Sequence, residues 1–320
     1  MAEQVPPGAG RIRQNDIYVA GIHGRKPKVP TDHAELERRA RKAMSERAWA
    51  YIAGGAGEGA TMRANRAALD RRAIVPRVLR DVSVRSTEIE LFGDTLPAPV
   101  LFSPVGAGGL VRRRADVLIG QAAAQLGVPY IFSNQGSAPM EDVAAEMDRI
   151  RPGAPRWFQL YWSVDDDLVD SFLMRAKKMG ASAIAVTLDT TMLGWRPQDL
   201  NLGSLPFARA EGIDQYTSDA RFRDIVAERI RSATAAEKPE VTLGAIRTLF
   251  SIARNVPGSF LKNLPSPEPR ESVQTFLSIY SRPSLSWDDI AGLRERTDLP
   301  IVLKGILHPD DARRAVDTGV

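Results

Sequence analysis

Residues 157–189 read WFQLYWSVDDDLVDSFLMRAKKMGASAIAVTLD, and the reading of this stretch decides the fold. An apolar run, Trp157 to Tyr161, precedes an amphipathic stretch from about Asp165 to Met179 that Gly180 ends, and a second run, Ala183 to Asp189, follows. Continuous apolar runs alternating with amphipathic helices predict parallel strands buried on both faces. The pattern repeats outward in both directions. Val100 to Phe102 leads through Pro104 to a helix over about Asp116 to Leu126, and Tyr130 to Ser133 leads to one over about Pro139 to Ile150. Ile301 to Lys304 precedes a last helix from Pro309. The first four runs begin about 26 to 30 residues apart. Units at this spacing close into an eight-stranded barrel or lie in an open doubly wound sheet. About five β/α units are present, so a (β/α)8 TIM barrel would be incomplete over these residues.

Residues 1–30, with Pro6-Pro7 and several glycines, read as an irregular arm ahead of a domain over 31–320. A helix follows Pro30, capped by Thr31 or Asp32, carrying Leu36, Ala43, Ala48 and Ile52 near helical spacing and stopped at Gly54-Gly55. A mixed segment with Pro76, Pro97 and Pro99 then runs to about residue 98. Between Thr190 and Pro283 there is no strand signal and one clear helical stretch, about Asp219 to Ser232. A connection this long after the fourth strand is an active-site lid or a disordered insert.

Composition excludes several classes. With no cysteine there is no disulfide framework, thiolate metal site or cysteine nucleophile. The net charge of +4 is small and dispersed, and knots such as Arg112-Arg113-Arg114 lack the aromatic-rich basic stripe of a nucleic-acid surface. No apolar run reaches the ~18 residues of a membrane span, nor does the N-terminus carry a signal-peptide core, so a cytoplasmic protein is expected. His23, His33 and His308 are scattered without metal-ligand spacing. Gly55-Ala56-Gly57 looks like part of a dinucleotide fingerprint but follows a helix, which removes the phosphate-cradle context.

Chemistry is expected where parallel strands end on one face. Those ends carry Ser103 to Gly106, Ser133-Asn134-Gln135, Gln159 with Tyr161, Thr187 with Asp189, and Lys304. Residues two apart share a side of a strand. An apolar core does not require such side chains at successive ends, whereas a flat, polar-edged ligand such as a flavin ring does. Taken singly, Gln159 could be satisfied by backbone, Tyr161 could be core, and Lys304 could snorkel to the surface.

The motifs Tyr51-Ile-Ala-Gly-Gly-Ala-Gly-Glu58, Pro76-Arg-Val-Leu79, Phe158-Gln-Leu-Tyr161, Thr187-Leu-Asp-Thr190, Leu193-Gly-Trp-Arg196, Ser284-Leu-Ser-Trp287 and Leu303-Lys-Gly305 resemble, in order and spacing, those of FMN-dependent α-hydroxy-acid oxidases and dehydrogenases. The resemblance covers about residues 31–320 apart from the middle of the long connection. Gly194 to Leu200, the region of Tyr216 and His308 to Ala315 look most like the members that decarboxylate their product. The resemblance implies a TIM barrel, FMN as cofactor, a small L-2-hydroxy acid and O2 as reactants, and a homo-tetramer at full length.

Residue by residue, it implies that Pro104, Val105 and Gly106 run along the flavin, that Ser133, Gln159 and Thr187 hydrogen-bond its ring, and that Lys304 places positive charge at the N1–C2 carbonyl edge. Tyr51, Tyr161 and Arg196 would hold the substrate. Two departures alter the pocket: Val105-Gly106 stand where Thr-Ala is usual, and Gln135 where an aromatic is often found. The family's Ser-Asn-His-Gly-Gly-Arg segment, whose histidine takes the α-hydroxyl proton, does not occur in residues 1–320. The resemblance therefore implies that the catalytic pair and phosphate site lie beyond Val320, and that this stretch alone is inactive and holds no FMN. A keto acid and peroxide are the alternative products, and a non-catalytic, partner-binding remnant is the alternative class.

Overall fold

The computed structural model describes residues 8–232 and 241–320. The chain divides into two units, Met1–Thr87 and Glu88–Val320.

The first unit is helical. Where an irregular arm was expected, the described part forms α1 (Ala9–Ile22), because the prolines that suggested the arm lie outside it, at positions 6, 7 and 27. Residues 1–7 of that arm lie outside the described residues. The single helix expected after Pro30 is two, α2 (His33–Ala43) and α3 (Glu46–Ala53). Asp32 caps the first by accepting from the Glu35 N–H at 2.8 Å. Ser45 restarts the second by accepting from the Ala48 N–H at 3.2 Å, which satisfies a first-turn donor that an uninterrupted helix would bond internally. α4 (Ala60–Asp70) follows.

The second unit opens with an antiparallel hairpin, β1 (Ile89–Leu91) and β2 (Asp94–Leu96), in what reads from sequence as a mixed segment. Its main sheet has four parallel strands in the order β3 (Tyr130–Phe132), β4 (Arg156–Leu160), β5 (Ile184–Thr187) and β6 (Ile301–Lys304). Every residue of β3, β4 and β5 is buried, the burial that continuous apolar runs predict. The helices α5 (Ala115–Leu126), α6 (Met140–Ile150) and α7 (Asp166–Lys178) lie between successive strands in the chain, and α15 (Pro309–Asp317) follows β6. On α7 the buried residues Leu168, Val169, Phe172, Leu173 and Ala176 form one stripe at helical spacing.

One expectation needs correction. The first apolar run is not a strand: Phe102 makes a single parallel bridge to Tyr130, so four strands and one bridge stand where five strands were expected. Pro97, Pro99 and Pro104 lack the N–H groups a ladder needs, and the Val100 N–H turns back to the Ala98 carbonyl at 2.8 Å. Among the described residues the sheet does not close into a barrel, since β3 and β6 do not pair with each other.

The connection from β5 to β6 is neither a bare lid nor unstructured. It holds α8 (Pro197–Asn201), α9 (Asp214–Thr217), α10 (Ala220–Ser232), α11 (Leu243–Asn255), α12 (Phe260–Asn263), α13 (Glu268–Ile279) and α14 (Trp287–Arg296), with residues 233–240 outside the described residues. Pro257, Pro265 and Pro267, which suggested irregular chain, sit at helix boundaries. No helix among the described residues is long and apolar enough to cross a membrane.

Candidate active site

The carboxyl ends of the parallel strands carry a continuous row of polar side chains. Ser133, just past β3, is 2% exposed, and Gln159 on β4 and Thr187 on β5 are each 3% exposed. The Ser133 hydroxyl donates to Gln159 Oε1 at 3.1 Å, and Gln159 Nε2 donates to Thr187 Oγ1 at 2.8 Å. Thr187 accepts here, which leaves its own hydroxyl proton to donate. Thr187 stands in register with Lys304 on β6, whose Nζ pairs with Asp189 Oδ2 at 2.6 Å. Gly305 makes that approach possible: it has φ of +101°, and a Cβ there would lie 2.9 Å from Asp189 Cβ and backbone N.

Tyr161 closes the row. Its phenol is pushed up to about 12, first by burial and then by the Asp189 charge, against hydrogen bonds with Thr190 and Gln159. It therefore stays protonated at neutral pH and can donate. Its backbone N–H donates to Asn134 Oδ1 at 3.2 Å. Pro104 and Gly106 are half-buried and Val105 is exposed, in the loop after the Phe102 bridge. The next residue, Ala107, donates its N–H to the Gln135 carbonyl at 2.8 Å, which ties this loop to the one after β3.

Part of the long connection is docked on those loops. The Asp214 N–H donates to the Gly136 carbonyl at 3.2 Å, and the Gln215 side chain donates to Ala138 O at 2.9 Å and accepts from the Met140 N–H at 3.0 Å. The Tyr216 hydroxyl donates to Asn134 Oδ1 at 3.0 Å. Gly212, at φ +82°, meets Ala107 Cα and the Gln135 carbonyl at 2.9 Å from where a Cβ would be. Gly212→Ala is therefore expected to destabilise the protein by about 2 kcal/mol, from a strained backbone and an overfilled contact. Chemical denaturation that leaves stability within ~0.5 kcal/mol of the parent, the spread of ordinary surface changes, would refute the close packing.

The other residues singled out from sequence are Arg196, Tyr51 and His308. Arg196 is the residue before α8, and its Nε donates to the largely buried Asp199 at 2.5 Å. Tyr51 is half-buried on α3 of the first unit. His308 is the N-cap of α15, its Nδ1 accepting from the Asp310 N–H at 3.2 Å.

The model of the FMN-dependent dehydrogenase family matches residues 40–320. The chain belongs to the FMN-dependent dehydrogenase family. It is 38% identical over 316 residues to an FMN-dependent alpha-hydroxy acid dehydrogenase of Penicillium citrinum, covering 98% of this chain and 70% of that one. It is 35% identical to the L-lactate oxidase of Lysinibacillus sphaericus, covering 95% of this chain and 68% of the relative. A crystal structure of mandelate oxidase with (S)-4-hydroxymandelic acid superposes with a TM-score of 0.66 at 30% identity, over 90% of this chain and 67% of that one. FMN is the cofactor of this family, and its members named here are α-hydroxy-acid oxidoreductases.

The residues of this FMN-dependent dehydrogenase suit that cofactor by the chemistry of their donor set. An isoalloxazine edge alternates acceptors with a donor, and the row offers two hydroxyls, a carboxamide that both donates and accepts, and a cation at its end. The sequence reading named every member of this row. It gave no role to Asn134, Gln215 or Tyr216, because the bonds that join them to the loops span 75 to 82 residues of chain.

Proposed function

We propose that this chain supplies the flavin-ring and substrate side of an enzyme that oxidises a small L-2-hydroxy acid, in the manner of lactate 2-monooxygenase. The observation that supports the reading is the buried row Ser133, Gln159 and Thr187 ending at the Lys304–Asp189 pair. When bound, FMN would supply the acceptor for the two electrons of α-carbon oxidation and their route to O2. Ser133, Gln159 and Thr187 would hydrogen-bond the ring, and the backbone of Pro104, Val105 and Gly106 would run along it. Lys304 would hold positive charge where negative charge develops on reduction, a preorganised stabilisation that needs no rearrangement. Tyr161 would donate its hydroxyl to the substrate. Arg196, which pairs with Asp199, would offer its guanidinium fork to the carboxylate. The proton acceptor for the α-hydroxyl is assigned to none of these residues.

In this reading lactate and O2 give acetate, CO2 and water, because the keto acid is held until peroxide has decarboxylated it. Likeness to an L-lactate oxidase favours a second reading, in which pyruvate and hydrogen peroxide leave separately. Incubating the whole translated product with lactate, O2 and FMN separates them. Acetate without free peroxide is expected, and pyruvate with equimolar peroxide would establish the second reading instead. A flavin that lactate fails to bleach, with mandelate equally inert, would remove both and leave a non-catalytic role.

A further inference from the structure

Tyr216 of the long connection reaches a buried side chain of the site. Asn134 is fully buried, and its Oδ1 accepts twice, from the Tyr161 backbone N–H and from the Tyr216 hydroxyl. Among the described residues its buried Nδ2 has no hydrogen-bond partner. A half-satisfied buried amide is unfavourable compared with a small apolar residue, so its presence points to what the oxygen does rather than to stability.

The Tyr216 ring is held in turn by three edge-on aromatic contacts: Phe172 of α7 at 5.0 Å, Phe222 of α10 at 5.5 Å and Phe276 of α13 at 4.8 Å. Such pairs favour this edge-to-face geometry and resist reorientation. Two helices of the long connection and one helix of the sheet layer therefore fix where a single hydroxyl sits. That hydroxyl fixes Asn134, and Asn134 fixes the backbone of Tyr161.

We infer that Asn134 and Tyr216 are positioning residues for substrate binding, through which the packing of the long connection sets the place of Tyr161. The inference rests on the proposed role of Tyr161. Neither residue touches substrate, and both act through the Tyr161 backbone. Substrate preference in this chain then depends on aromatic packing remote from the pocket as well as on pocket-lining groups.

The test is a double-mutant cycle in the whole translated product, read as kcat and KM for lactate. Tyr216→Phe keeps the ring and its three contacts and removes only the hydroxyl. It is expected to raise KM about tenfold with kcat within about twofold, the signature of lost uniform binding. A merely structural role would lower the folded fraction, and hence apparent kcat, with KM unmoved. Tyr161→Phe should raise KM by at least as much, and adding Tyr216→Phe to it should have no further effect. Asn134→Ala removes the acceptor itself and serves as the second variant, with a larger rise in KM expected. An unchanged KM in Tyr161→Phe would overturn the reading of the site and this inference with it. A raised KM in Tyr161→Phe with none in Tyr216→Phe or Asn134→Ala, or fully additive effects, would overturn this inference alone.

Discussion

Replacing Lys304 with methionine is expected to slow reduction of the flavin by a 2-hydroxy acid about a hundredfold, the loss typical when one preorganised electrostatic group is removed. Methionine keeps most of the apolar stem and removes the charge, so packing at the end of β6 changes little. The Lys304–Asp189 pair contributes little to folding, because its side chains are 41% and 39% exposed and solvent screens them. Rate and stability should therefore separate in this variant: stopped-flow reduction slows while the thermal midpoint hardly moves. In the role proposed for Lys304, the flavin's reduction potential should fall in the same variant, since the reduced ring would lose its nearby cation. Reduction within about threefold of the parent rate would remove Lys304 from the proposed role, because even a weak effect of this class exceeds that.

The second large effect concerns stability against pH. Asp214 begins α9, half-buried, and its carboxyl is pushed up from 3.8 to about 7, chiefly by burial and then by the charges of Asp116 and Asp142. A polar cavity of about 800 Å³ adjoins it, lined also by Arg113, Arg114, Glu211 and Arg254. Between those two values the folded chain keeps a proton that the unfolded chain has lost. Stability must then fall as pH rises through that window, and the burden is complete above about 7. Asp214→Asn carries the neutral shape at every pH. It is expected to gain on the order of 3 to 4 kcal/mol at pH 8 and almost nothing at pH 4. In thermal unfolding that is a rise of about 6 °C or more at the higher pH only. An equal gain at both values would show that charge at Asp214 is not the cause.

The parallel sheet was legible because its strands are buried on both faces and therefore read as unbroken apolar runs. Gln159 and Thr187 stood out for the same reason, as polar residues inside such runs that are now seen bonded to each other. What could not be read came from contacts between distant segments or from opposed local signals. The bridge at Phe102 is shortened by prolines on both sides, although the run itself is apolar. α11 was readable in principle, with Leu243, Ile246, Phe250 and Ala253 at helical spacing and Thr242 capping by accepting from the Ala245 N–H at 3.1 Å. Its polar, proline-rich surroundings obscured it. The partnership of Asn134 with Tyr216 depends on how α9 docks, and no local pattern encodes that.

The pairing of β5 with β6 has a consequence for how the chain is made. Ile184 lies beside Ile301, so the ribosome must add 117 residues before β5 meets its neighbour. At ordinary bacterial to eukaryotic synthesis rates this takes roughly 6 to 23 s, far longer than a helix needs to form. During that interval the unpaired edge of a largely apolar strand is open to other nascent chains. Since α9 and α10 emerge soon after β5 and pack against segments already synthesised, they can shelter part of the unfinished layer until translation supplies β6. Slower elongation across codons 190–300 should therefore lower the yield of soluble protein more than the same slowing elsewhere.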